Sequence, residues 1–250
     1  MANVFVNDAH LTNIANSIRN KTGSQSTMKV SEMSGNINSI VVGASPTYVS
    51  FYGYENAYLN VSWLDTSNMT NMCRMFSDCR ALTSLNLSGF NTSNVTNMSN
   101  MFYYCEKLTN LDLSNFDTSN VTNMYAMFSY CRQLTSLDLS NFDTSNVTNM
   151  QEMFYGDYTF TSLDLSNFDT SNVTNMTGMF NNCYYLRTLD ISSFDFSKVS
   201  SYSGIFQSCG GSSTATVYVK DTTAQNWILN LSSSNRPSNW STDNVIVKTT

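Results

Sequence analysis

The chain is poor in most of the residues that catalysis and sharp chain reversal ordinarily use. Its 250 residues include one histidine, His10, two prolines and 30 charged side chains, of which 18 are acidic and 12 basic. A single histidine removes most histidine-based acid–base and nucleophilic chemistry. No G-x-S-x-G, H-E-x-x-H or glycine-rich phosphate loop occurs. Lys/Arg clusters are missing and the net charge is −6, which argues against nucleic acid or an anionic membrane as partner. No apolar run approaches the ~20 residues that span a bilayer, so membrane insertion is not expected. The opening MANVFVNDAH has neither a basic nor an apolar leader region, and no secretory signal is expected. Asn, Ser and Thr are abundant instead, with 33, 38 and 28 residues. A hydrophobic fraction of 41% still suffices for a core. These features predict a non-enzymatic scaffold that needs neither cofactor nor metal.

A repeat organises the chain. Phe90, Phe116, Phe142, Phe168 and Phe194 are 26 residues apart, as are Phe76, Phe102, Phe128, Phe154, Phe180 and Phe206. A fixed period of this size marks a solenoid whose units bury their apolar faces against their neighbours. One unit reads LTNLDLSNFDTSNVTNMYAMFSYCRQ, residues 108–133. Its first half alternates, placing Leu111 and Leu113 on the core side of a short strand. Its second half carries Val121, Met124, Met127, Phe128 and Cys131 at spacing that predicts one face of a short helix, in part 3₁₀. Asp117, Thr118 and Ser119 are placed to cap it. The expected fold is an α/β repeat solenoid with a parallel sheet on one side and helical turns on the other. Counting in steps of 26 from Leu59 and Val61 to Ala215 and Val217 gives about seven rungs, roughly 29 Å at ~4.8 Å each.

The ends differ in character. Residues 43–58 are expected to cap the N-terminal rung of the solenoid, 59–217. Residues 218–250 cap the other end with a helix from Asp221 carrying Trp227, Ile228 and Leu231, then Trp240 and a strand over 245–247. Residues 1–42 carry two short amphipathic helices, around Leu11, Ile14 and Ile18 and around Met33, Ile37 and Ile40. Helices this short bury little alone, so this module is expected to attach to a partner or to another copy, a trimer being the expected oligomer.

Three columns are candidate sites. Cys79, Cys105, Cys131, Cys183 and Cys209 share one repeat position, with Asp157 in the missing place. Stacked in file, they suit neither convergent metal ligation nor disulfides, and buried free thiols are expected. Corner residues Asp65, Asp117, Asp143, Asp169, Asp195 and Asp221 are expected to be caps. A second acidic column, Asp112, Asp138, Asp164 and Asp190, lies on the open face of the sheet. Like charges ~5 Å apart repel by ~1 kcal/mol even in water, so Ser/Thr hydroxyls, cations or a polar ligand must offset the repulsion. A solvated face with Ser/Thr partners is the simpler of these readings. Two windows vary between otherwise near-identical repeats. The first includes Tyr125, and the second holds Tyr103, Tyr104, Tyr130, Tyr155, Tyr158, Tyr184 and Tyr185 with Glu106, Lys107 and Arg132. Tyrosine gives contact area at low entropic cost and suits recognition, but free variation also fits an unconstrained rim.

The units L-T-x-L-D-L-S-x-F-D-T-S-N-V-T-N-M-x-x-M-F-x-x-C resemble the BspA-like leucine-rich repeats of bacterial surface proteins, over about residues 56–220. Ordinary leucine-rich repeats place Asn where Phe116 stands, so no standard Asn ladder is expected. The stretch HLTNIANSIRNKTGSQSTMKVSEMSGNINSI is similar to a module that opens tail and baseplate-associated proteins of phages and prophages. The resemblances together imply a phage or prophage tail-tip protein in the virion. It would attach to other tail or baseplate proteins through 1–42 and bind a host cell-surface polysaccharide or protein through the array. A BspA-like adhesin of the bacterial cell surface is the alternative.

Overall fold

The computed structural model describes residues 49–62, 64–211 and 215–248. The helical module expected over 1–42 therefore lies outside the described residues. The remainder coils as a parallel β-solenoid. Short strands β1 (Tyr58–Asn60) and β2 (Ser84–Asn86) pair in one sheet, with Leu59 opposite Leu85. A second sheet holds β3 (Ser162–Asp164), β4 (Thr188–Ile191), β5 (Thr216–Val219) and β6 (Val245–Val247) in sequence order, all parallel. Helix α1 (Thr222–Leu229) lies between β5 and β6 in the chain.

The 26-residue register holds until the last rung. Leu163 faces Leu189, but Leu189 faces Val217 and Ile191 faces Val219, an offset of 28. Val217 and Val219 thus replace the expected Ala215 and Val217 as partners of Leu189 and Ile191. The two extra residues fall after Cys209: Leu189 is six positions after Cys183, and Val217 is eight positions after Cys209. Val245 pairs with Val217 at 28 again, so the cap strand extends the same ladder.

The helical turn expected in each rung is corrected to a chain of four-residue turns. Met127, Ser129 and Cys131 donate to carbonyls three residues back, Met124, Ala126 and Phe128. The residues between them donate sideways to the next rung: Met124 to Asn149, Ala126 to Gln151, Phe128 to Met153 and Tyr130 to Tyr155. The i−4 bonds of an α-helix are absent because every second N–H is already committed to the neighbouring coil. Left-handed residues recur in two files, Arg74, Asn100, Ala126, Glu152, Gly178 and Gly204, and Asp78, Tyr104, Tyr130, Gly156, Asn182 and Ser208. A left-handed third residue is the mark of type II turns and breaks any helix. The inward positions of such a chain, Met124, Met127, Phe128 and Cys131, have the i, i+3, i+4, i+7 spacing of a helix face, and all four are buried.

Side chains tie the rungs together. Each of the first five rungs contains three Asx turns in which an Asp or Asn Oδ1 accepts the N–H two residues on. In the third rung these are Asp112 to Ser114, Asp117 to Ser119 and Asn123 to Tyr125, each 3.0 Å. Buried Thr92 donates to the Asp117 carbonyl and accepts the Asp117 N–H, both at 2.8 Å. Asn120 donates to Ser93 O and Thr122 to Thr96 O. Asn115, next to Phe116, donates to the carbonyls of Leu87 and Phe90, so an Asn ladder runs one residue before the Phe116 position, where ordinary leucine-rich repeats place theirs. Nearly every letter of D-T-S-N-V-T-N-M thus has a bond or a buried position. At roughly 0.5–1.5 kcal/mol net per hydrogen bond, recurrence matters more than any single one.

The core is a column of rings. Phe51, Phe76, Phe102, Phe128, Phe154, Phe180 and Phe206 stack successively at 5.5–5.8 Å. Trp240 closes the last ring at 5.2 Å. The loop before it copies a further rung, because Asn235 O accepts Phe206 N–H and its Oδ1 accepts Gly204 N–H. This satisfies backbone groups that an uncapped solenoid end would expose.

Candidate functional site

The chain of turns carries half-buried side chains along one edge of the coil, Tyr104 and Tyr130 at left-handed positions. There the structure joins five of the tyrosines singled out from sequence. Tyr103 meets Tyr104 edge-on at 4.5 Å, Tyr104 stacks on Tyr130 at 4.3 Å, and Tyr130 meets Tyr155 at 5.3 Å. Tyr158 joins through Arg132, whose guanidinium carbon lies 4.9 Å from the Tyr130 ring centre and 5.5 Å from that of Tyr158. All five are half-buried, so the rings are ordered by one another while one side stays open. Gly156 makes room for this: a Cβ there would sit 2.7 Å from the Tyr130 ring, and its φ is +73°. Burial, with Tyr104 adding, pushes the Tyr103 phenol up to about 12, and burial with Tyr155 raises Tyr130 as well. Both therefore remain neutral hydrogen-bond donors near pH 7.

The other predicted positions are not part of this strip. Tyr125 donates to Glu152 at 3.4 Å. Tyr184 and Tyr185 form a separate edge-on pair at 5.2 Å and are the most exposed of the set. Two arginines belong to the rim: Arg132, which the second variable window includes, and Arg80, which the sequence did not single out. Arg80 lies 4.5 Å over Tyr104 and pairs with Asp78 at 2.7 Å and Glu106 at 3.3 Å. Arg132 flanks Tyr130. The signal was the register itself, since Arg80, Glu106, Arg132, Tyr158 and Tyr184 are 26 apart in one file directly after the cysteine column. A groove of ≈ 400 Å³ lined by Tyr52, Tyr54, Glu55, Asp78 and Arg80 continues the rim toward the N-terminal cap.

The sheet-face aspartates have a structural use. Asp112, Asp138, Asp164 and Asp190 each accept the N–H of the serine two residues on at 3.0 Å, as Asn60 and Asn86 do. That amide holds the Asp112 and Asp138 carboxyls below the ordinary range, and it offsets the mutual repulsion. Burial raises Asp190, but Lys248 and Ser192 outweigh it and leave the carboxyl lowered. The corner aspartates cap their turns in the same way, and only Asp221 caps a true helix, accepting Ala224 N–H at 2.9 Å.

All six cysteines are free. In the buried file, Cys105, Cys131 and Cys183 donate to the carbonyls of Phe76, Phe102 and Phe154 at 3.1–3.2 Å. Asp157 occupies the missing place fully buried, and neither of its carboxylate oxygens finds a hydrogen-bond partner. Burial pushes its carboxyl well up, against the pull of the Cys131 backbone and the Arg132 charge. Among the described residues no three His, Cys, Asp or Glu side chains converge where they could hold one metal ion.

No curated protein and no solved structure matches the chain significantly. One family does: its description is "Mycoplasma protein of unknown function, DUF285", and it matches residues 47–137 and 127–240. Those two overlapping segments span the described solenoid from its first turn to Trp240, short of β6, and the chain belongs to this DUF285 repeat family.

Proposed function

We propose that this protein is a non-enzymatic recognition solenoid that binds a polysaccharide on a cell surface through its tyrosine rim. The observation that carries the reading is the unbroken ring contact from Tyr103 through Tyr104 and Tyr130 to Tyr155. It occurs on a strip whose rungs are joined by backbone N–H groups, as from Phe128 to Met153. Tyrosine faces pack on apolar sugar faces, and the neutral phenols donate hydrogen bonds. Rungs stacked at ~4.8 Å present the rings in series, and a ligand that itself repeats gains avidity from such a series. The setting we propose is a phage or prophage tail tip that attaches through residues 1–42. A bacterial surface adhesin is the second reading, and the mycoplasma description of the family favours it.

The test is cell binding by two variants. Replacing Tyr103, Tyr104, Tyr130 and Tyr155 together with Ser abolishes binding while leaving the melt cooperative. Replacing Asp112, Asp138 and Asp164 with Asn leaves binding intact. Undiminished binding by the tyrosine variant would refute the rim as the recognition surface.

A further inference from the structure

Arg132 differs from Arg80, the other arginine of its file. Arg80, in the same file two rungs earlier, is neutralised by Asp78 and Glu106. Arg132 takes part in none of the ion pairs formed among the described residues. Its Nε is buried and has no hydrogen-bond partner. The acids around it are otherwise engaged. Glu106, one rung before it in the file, belongs to Arg80, and Glu152 accepts from Tyr125 and Gln151. Asp157, the acid that feels the Arg132 charge, is sealed in the thiol column, where burial favours its neutral form. It forms no ion pair with Arg132.

A partly desolvated guanidinium without an acceptor is costly, and contacts with ring faces offset only part of that cost. In-plane N–H donors of Arg match oxyanions bidentately, which is the interaction this group lacks. We propose that Arg132, flanked by Tyr130 and Tyr158, is a subsite for the carboxylate, sulfate or phosphate groups of an acidic surface polysaccharide. The inference rests on the rim being the recognition surface, and it adds the chemical class of the ligand. A chain of net charge −6 would otherwise repel such a polymer, so recognition must be local, at a rim position where positive charge is uncompensated.

The experiment uses the full chain and four polymers of similar length: polygalacturonate, dextran sulfate, a glycerol-phosphate teichoic acid and unmodified dextran. Calorimetry is expected to show binding to at least one anionic polymer and weaker or no binding to dextran. The anionic polymer bound most tightly identifies the carboxylate, sulfate or phosphate source. Inorganic sulfate and added salt weaken the interaction. Arg132→Gln weakens it about tenfold or more, the range for a hydrogen bond to a charged group, while Lys198→Gln, at a cation bonded to Asn172 away from the rim, changes it little. Should Arg132→Gln not fold, sulfate competition on the parent decides, because a subsite that sulfate cannot occupy is not an anion site. Equal binding of dextran and the charged polymers, no binding of any polymer, or full binding by a folded Arg132→Gln overturns the proposal. Loss of binding in the tyrosine variant together with full binding by Arg132→Gln would overturn the anion subsite alone and leave the rim reading standing.

Discussion

Two neighbouring stretches of one rung solve the same problem differently. In D-T-S-N-V-T-N-M, side chains make much of the rung-to-rung connection: Thr92 to Asp117, Asn120 to Ser93, Thr122 to Thr96. In the M-x-x-M-F-x-x-C strip that follows, backbone N–H groups make it, as from Ala126 to Gln151 and Phe128 to Met153. Any outward residue that tolerates the turn is therefore compatible with the strip, whereas the first stretch must keep particular hydroxyls and amides. The invariance of one and the variation of the other follow from who supplies the hydrogen bonds. The strip is where rung-to-rung contact depends least on side-chain identity.

The largest effect should come from the strip's inward side. Phe128 is fully buried and stacked on both faces at 5.8 Å. Phe128→Ala is expected to lose about 3–5 kcal/mol in denaturant unfolding. Tyr125→Ala, three residues earlier but facing outward, should lose well under half of that.

Thr92→Val breaks the other stretch at one atom. It leaves both the N–H and the carbonyl of Asp117 without their partner, an expected loss of about 2 kcal/mol by the same measurement. A loss near zero would show that the backbone alone carries this stretch too.

Asp157→Cys should stabilise by about 1 kcal/mol, because it replaces an unpartnered buried carboxyl with the thiol used in the other rungs. The sign of its pH dependence follows from the raised carboxyl. The parent's penalty is absent below the unfolded value near 4 and grows as pH rises toward the folded value. The gain in the variant should thus be smallest near pH 4 and widen toward neutrality in parallel melts.

Asp138→Asn is the smallest change, within about 0.5 kcal/mol, because Asn60 and Asn86 already hold the same turn. Its cell binding should equal the parent's, and a clear fall would move recognition to the sheet face.

The 26-residue period, the inward file of Met, Phe and Cys, the Asx corners and the variable tyrosine windows are all legible in the residues alone. They depend on which side chains face inward, and burial repeats with the period. Sequence spacing did not separate a short helix from a chain of turns, since both bury positions i, i+3, i+4 and i+7. Only the stacked neighbour decides between them, by offering carbonyls that divert every second N–H sideways. The two-residue shift before Val217 was equally hidden, because two residues added between Cys209 and Val217 leave the apolar pattern of the sequence unchanged. The rim was half visible: its tyrosines stood out as variation, but the pairing of Arg80 and the lack of a partner at Arg132 are distances between rungs. The sequence determined what each rung must bury, and the contact between rungs decided what its backbone and charges do.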